Sequence, residues 1–306
     1  MNYYIGIDGG GTKTAIVIGK EDGIVIKTIE KSGCSHKVIG IDAVVTLLSQ
    51  GVKEITEGIG ITLSDCGGIC IGLPCYGEAP EADVEITEKL KQALSPIPVS
   101  IVNDAVVGWA GSLECSEGVH LVAGTGAIAY AQRSDGKEAR SNGWNEFFSD
   151  EGSCYWVGKQ AMALFAQEAD CRKPKGALYD IVRKELSLEN DNDFIDIMEQ
   201  DYIPLRHKVA SFQMFASKAA AAGDQEAVKL YETAAQHLAD SAAGIIRQLG
   251  WENKTVPVSY YGGLFKNGDL ILNPLKECLA AFNCILTPPK RIAVEGALLL
   301  AIKNHK

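Results

Sequence analysis

The sequence predicts an α/β protein of two lobes, each a mixed sheet flanked by helices. Three observations lead there. A run of strand, glycine turn, strand, Asp-Gly turn and strand opens the chain and recurs, more weakly, after residue 118. The spacing of apolar residues changes to a helical one from about residue 152. The chain has 306 residues, 46% of them hydrophobic, which is enough for two cores of ordinary size.

The elements follow in order. YYIGID at 3–8 reads as a strand that ends in a glycine turn, and AIVIG continues as the second strand of a hairpin. Asp22-Gly23 is a turn signal before a third strand, IVIKTIE. Residues 42–58 fit an amphipathic helix with Val45, Leu48 and Val52 on one face. GGICIGLP is a strand, 81–94 a helix, and PVSIVND a strand ending at Asp104. VHLVA at 119–123 restarts the plan, GTGA turns the chain, IAYAQ follows, and Asp135-Gly136 closes another hairpin. SCYWVGKQAMALFAQEA, 176–200 and 204–249 read as helices. VPVSYY returns to a strand before GGLFKNG, AAFNCILTP is a helix end and a strand, and VEGALLLAIKN is a closing helix. The first lobe is expected over 1–110 and the second over 111–291, with the helix at 292–306 packing back on the first.

Composition limits the function. Asp and Glu outnumber Lys and Arg by 39 to 29, a formal charge of −10. An acidic surface repels nucleic-acid backbones and anionic lipids, so neither is expected as a partner. No stretch has the apolar length of a membrane span, and a cytoplasmic protein is expected. Nine cysteines lack both a disulfide framework and paired zinc spacing. Cys66, Cys70 and Cys75 surround an apolar strand and read as inert thiols. The five histidines show no metal-ligand spacing, and no GxSxG is present.

The glycine turns carry the chemistry. Asp8-Gly9-Gly10-Gly11-Thr12-Lys13-Thr14 follows a strand directly. Glycines let successive backbone N–H groups face an anion, and Thr12 adds a hydroxyl. Asp8 repels phosphate but suits Mg²⁺, directly or through water. The motif is neither a Walker A loop nor a dinucleotide fingerprint. Gly124-Thr125-Gly126 repeats the arrangement, so that two turns, one per lobe, would clamp a triphosphate. Gly262-Gly263 after VSYY would allow close approach of adenine and ribose. Phosphorylating an alcohol needs a base, and either Asp104 at its strand end or Asp150 in GWNEFFSDEGS suits that role.

Taken in order, DGGGTKT, VNDA, GTGA, GW…DEGS and GGLF resemble the BadF/BadG/BcrA/BcrD-type ATPase family, and within it the N-acetylglucosamine kinases. The resemblance implies the actin-like (ribonuclease H-like) ATPase fold with a central cleft, binding ATP with Mg²⁺. It implies a kinase acting on the 6-hydroxyl of an amino sugar. Carried over, Asp8, Gly10, Gly11, Thr12 and Lys13 belong to the first phosphate loop, and Gly124, Thr125 and Gly126 to the second. Gly262 and Gly263 form the adenosine loop, Ala210 is a further nucleotide contact, and Asp104 is the base. Ser35, His36, Asp104, Ala127, Ile128, Gly143, Trp144, Asn145 and Asp150 fall at sugar positions. Three departures from the family pattern also lie there. Ala127-Ile128 replaces a polar pair, Ser35 and His36 stand where an Asn is common, and Asn145 and Ser149 replace glycines. These changes suit a bulkier acceptor such as N-acetylmuramate beside N-acetylglucosamine. A homodimer is compatible with this reading. The competing readings are an ATPase activator of a dehydratase or reductase, and a non-catalytic sugar sensor.

Overall fold

The computed structural model describes residues 2–306. The chain divides into two units, one running up to His120 and resuming at Pro288–Lys306, the other spanning Leu121–Thr287.

The first unit holds a five-stranded sheet in the order β3-β2-β1-β4-β5. Its strands are β1 (Tyr3–Gly9), β2 (Lys13–Lys20), β3 (Val25–Ser32), β4 (Cys66–Leu73) and β5 (Val99–Asn103). β2 pairs antiparallel with β1 and β3, whereas β1, β4 and β5 run parallel. Mixed direction follows from the connections: tight turns join the first three strands, and helices make the crossovers. Those helices are α1 (His36–Ile39), α2 (Ile41–Glu57) and α3 (Pro80–Ala93), and α4 (Asp104–Leu113) follows β5. Val44, Leu48, Val52 and Ile55 form the fully buried seam of α2, with Val45 only at its margin. Each such side chain contributes about 1.5–3 kcal/mol.

α4 is absent from the sequence reading, which ends the strand at Asp104. Asn103 stops the strand instead, its side chain accepting the Ala105 N–H at 3.0 Å as the helix N-cap. The division after His120 and before Pro288 also differs from the expected 110 and 291, because α4 is bound on both sides. Lys290 and Arg291 donate backbone bonds to Ser112 and Gly111. Trp109 Nε1 donates to the Gly118 carbonyl, and the Ser112 hydroxyl meets His120 Nδ1 at 2.9 Å.

The C-terminal helix, Ala293–His305, covers β1 and β4 and crosses α4 at van der Waals limits. A methyl group on Gly6 would lie 2.3 Å from the Leu298 nitrogen, and one on Gly296 would lie 2.1 Å from the Val107 carbonyl. Backbone cannot yield as a side-chain tip can. Gly296→Ala is therefore expected to destabilise the protein by roughly 3 kcal/mol or more, read as a lower denaturation midpoint.

The second unit's sheet has the order β10-β9-β6-β7-β8. Its strands are β6 (Val119–Ala123), β7 (Ala127–Gln132), β8 (Glu138–Asn142), β9 (Val256–Tyr261) and β10 (Cys284–Leu286). Numbered from its own first strand, this is the order of the other sheet, so the repeated sequence plan corresponds to repeated topology. The helices are α5 (Cys154–Ala169), α6 (Ala177–Glu185), α7 (Asp193–Ile197), α8 (Arg206–Ser211), α9 (Gln213–Ala221), α10 (Gln225–Leu249) and α11 (Asp269–Ala280). The two long helices expected over 176–200 and 204–249 are thus divided. The first breaks after Leu186, where Ser187 takes a positive φ of 54°, and the second where Gly223, at φ +90°, ends α9 and Asp224 caps α10. No described helix is long and apolar enough to cross a membrane.

Candidate active site

In the first unit the turn between β1 and β2 is tight. Gly10 N–H donates to the Lys13 carbonyl at 2.9 Å, and the Gly10 carbonyl accepts from Cys34 at 3.0 Å. Packing demands two glycines. A methyl on Gly9 would strike Cys34 Sγ at 2.3 Å, and one on Gly33 would meet the Gly11 carbonyl at 2.2 Å. Gly11 differs: nothing lies within 4 Å of the place its methyl would take. Gly11, Thr12 and Lys13 are exposed, and Lys13 Nζ lies 3.4 Å from Glu30. The turn therefore offers uncovered backbone to solvent.

Asp8 and Asp104 lie near this turn, both partly buried. Burial lifts the Asp8 carboxyl to about 6 against the opposing pull of Lys13. Burial also lifts Asp104 to about 7, with the negative charges of Asp8 and Glu78 adding to it. Asp104 begins α4 and accepts the Ala105 N–H at 3.0 Å, an interaction that favours its ionised form but does not outweigh desolvation. Cys34 is buried beneath the turn, where desolvation and the charges of Asp8 and Asp104 push its thiol up. The Asp8 carboxylate at the edge of the turn is a hard oxygen donor of the kind that suits a divalent cation. A Mg²⁺ ion needs only one or two protein carboxylates when phosphates supply the rest.

In the second unit, β6 ends at Gly124-Thr125-Gly126. Gly124 N–H donates to the Gly126 carbonyl at 2.9 Å, and the Gly124 carbonyl accepts from Cys154, the first residue of α5, at 2.8 Å. Gly124, like Gly11, has nothing within 4 Å of a methyl position. Gly262, at φ +123°, lies against the same turn, since its methyl would meet the Ala123 carbonyl at 2.4 Å. The structure thus brings Gly262 and the GTG turn together.

Asp150 is 4% exposed at φ +61°. It accepts from Ala127 N–H and pairs with Arg206 at 2.5 Å, yet desolvation still raises its pKa. Asp150 does not cap a helix; Ser153 caps α5 by accepting from Trp156 N–H. Asn142 organises the loop that precedes Asp150. Its Oδ1 accepts from Gly143 N–H, Ser149 Oγ and Asp150 N–H at 2.7–2.9 Å, and its Nδ2 donates to the Glu151 carbonyl. On that loop Trp144 is 76% exposed, its ring 5.9 Å from the Arg140 guanidinium, and Asn145 accepts from Phe147 N–H.

Other expected site residues are distributed by burial. Ser35 is buried just before α1, and His36 is half-buried as that helix's first residue. Ala127 is buried and Ile128 half-buried on β7, with Gly143 closely packed against the Ile128 side chain. The Ala210 methyl is buried on α8. Sequence reasoning missed Arg206 and Asn142. Asn142-Gly143 is a recognisable turn pair. Nothing local links Arg206 to a carboxylate 56 residues earlier.

Two mixed five-stranded sheets flanked by helices are the actin-like ATPase fold. A solved Chromobacterium violaceum protein, provisionally named an N-acetylglucosamine kinase, shares it at TM-score 0.74 and 24% identity, over 98% of this chain and 99% of its own. The model of the BadF/BadG/BcrA/BcrD ATPase family matches residues 5–301, and the chain belongs to that family. The N-acetylmuramic acid/N-acetylglucosamine kinase of Clostridium acetobutylicum is 29% identical over 280 residues, 91% of this chain and 90% of its own. The N-acetyl-D-glucosamine kinase of Dictyostelium discoideum is 27% identical over 317 residues, 99% of this chain and 98% of its own.

Proposed function

We propose that the protein is an amino-sugar kinase that transfers the γ-phosphoryl group of ATP to the 6-hydroxyl of N-acetylglucosamine and N-acetylmuramate. The observation that carries this reading is Asp104, a partly buried carboxylate lifted to about 7 beside Asp8. A base of that strength takes a proton from an alcohol near neutral pH and retains it while the new O–P bond forms and ADP leaves. The activities named for the two relatives support the same class.

The chain's groups then take these roles. Backbone N–H groups at Gly11 and Thr12, in the turn that the Gly10 N–H closes, hold phosphate oxygens together with Lys13. Gly124, Thr125 and Gly126 hold others, and Gly262, Gly263 and the backbone at Ala210 receive adenosine. Asp8 would hold Mg²⁺, which supplies charge neutralisation at the phosphates. Ser35, His36, Ala127, Ile128, Gly143, Trp144, Asn145 and Asp150 form the sugar side. The enzyme would work in the cytoplasm, and light scattering tests whether it is a homodimer.

An ADP-release screen over amino sugars, N-acyl amino sugars and plain hexoses tests the proposal. Both N-acyl sugars are expected to turn over, with phosphorus coupled to the C6 protons of the product. Absence of sugar-dependent ADP release, or phosphate at another carbon, overturns it. The pH dependence follows from the sign of the Asp104 shift. The base must be ionised, and its raised pKa protonates it as pH falls through about 7. Measured kcat/KM is expected to fall about tenfold per pH unit below that point and to level above it.

A further inference from the structure

We propose that Arg206 is a catalytic residue that touches the terminal phosphate of the nucleotide, held for that purpose by Asp150 and Glu146. The inference rests on the kinase reading and adds a group that the sequence motifs do not contain.

The geometry points to it from three sides. A methyl on Gly126 would lie 2.8 Å from Arg206 Nη2 and 2.8 Å from Asp150 Oδ2. The guanidinium therefore rests directly on the turn assigned to phosphate, and glycine at 126 leaves it room. One edge of the guanidinium is fixed: Nη2 donates to Asp150 at 2.5 Å, and Nε lies 3.4 Å from Glu146. The remaining nitrogen, Nη1, makes no hydrogen bond among the described residues, and the side chain is 45% exposed while Asp150 is 5% exposed. A planar fork fixed along one edge and open along the other is preorganised for phosphate oxygens. Charge supports the assignment. A chain of net charge −10 needs a local cation wherever it binds a triphosphate, and charge on the transferred group is stabilised most by a preorganised donor.

The test uses the whole protein as wild type, Arg206→Met and Arg206→Lys. Calorimetry with MgATP and MgADP reads the terminal phosphate without requiring turnover. Wild type is expected to prefer ATP, and Arg206→Met to lose that preference while keeping its ADP affinity. In the sugar-dependent assay Arg206→Met should lose about 10²–10³-fold in kcat with KM for sugar within threefold, and added guanidinium ion should restore part of the rate. Arg206→Lys should recover some ATP preference but little rate, because an ammonium cannot reproduce the fork. Equal ATP-to-ADP ratios in wild type and Arg206→Met, or no rescue by guanidinium, would overturn the assignment of Arg206 alone. If wild type binds neither nucleotide, the phosphate-turn reading fails first and this inference with it. Loss of ADP affinity together with a lowered melting temperature in Arg206→Met would show a structural pair and also overturn it.

Discussion

Asp104→Asn is expected to lower kcat by about 10³-fold while leaving KM for the sugar within a few-fold. The amide keeps the shape and can still accept the Ala105 N–H through its oxygen, so α4 retains its first turn. What it cannot do is take the proton. The same substitution is expected to stabilise the protein, and the sign follows from the raised pKa. Folding lifts this carboxyl from the usual 3.8 to about 7, so the folded state favours the protonated form. Below the unfolded pKa both states are neutral and no cost exists. The cost grows as pH rises and is complete above about 7. Undiluted, such a shift corresponds to about 4 kcal/mol. Asp104 is partly exposed, which leaves about 1–2 kcal/mol. Thermal unfolding at pH 8 should thus show a higher midpoint for Asp104→Asn, with the gain absent near pH 4. Near wild-type turnover in the variant would remove Asp104 as the base.

Gly11→Ala and Gly124→Ala are expected to raise KM for ATP at least tenfold with melting temperatures unchanged. Both positions lack any neighbour within 4 Å of the added methyl, and neither glycine has positive φ. The protein itself accommodates alanine there, so only an approaching ligand would meet the new atom. Gly33→Ala is the contrasting case, because its methyl meets the Gly11 carbonyl and should cost stability as well as affinity. Unaltered ATP dependence in both open-position variants would mean that phosphate binds elsewhere. An effect at one position alone would assign the nucleotide to that turn and not the other.

The sheets were legible because their signals are local. Apolar runs ending at GGG, GTG and Asp-Gly dictate hairpins, and both units show them at β1–β2–β3 and β6–β7–β8. α4 was not legible, because after Asp104 its residues AVVGWAGSL are uncharged and nine of the helix's ten residues are buried, which removes the amphipathic period. The break after Ala221 depends on Asp224, a cap that also accepts the Leu178 N–H from a distant helix start. The motif residues of the candidate site were readable from glycine and acid positions. Arg206 was not, since its meaning comes from tertiary proximity to Asp150 and Gly126. The raised pKa of Asp8 comes from burial, and that of Asp104 from burial with the charges of Asp8 and Glu78, which no spacing rule encodes.

The helix Ala293–His305 lies on strands made from residues 3–9 and 66–73, with Gly6 and Gly68 admitting its backbone and His305. During translation those strands leave the ribosome well before their cover does. All of Leu121–Thr287 is synthesised in the interval and can reach its own fold beforehand. The order of maturation is therefore inverted relative to the usual N-to-C progression. Until that helix is made, the first sheet keeps one face uncovered.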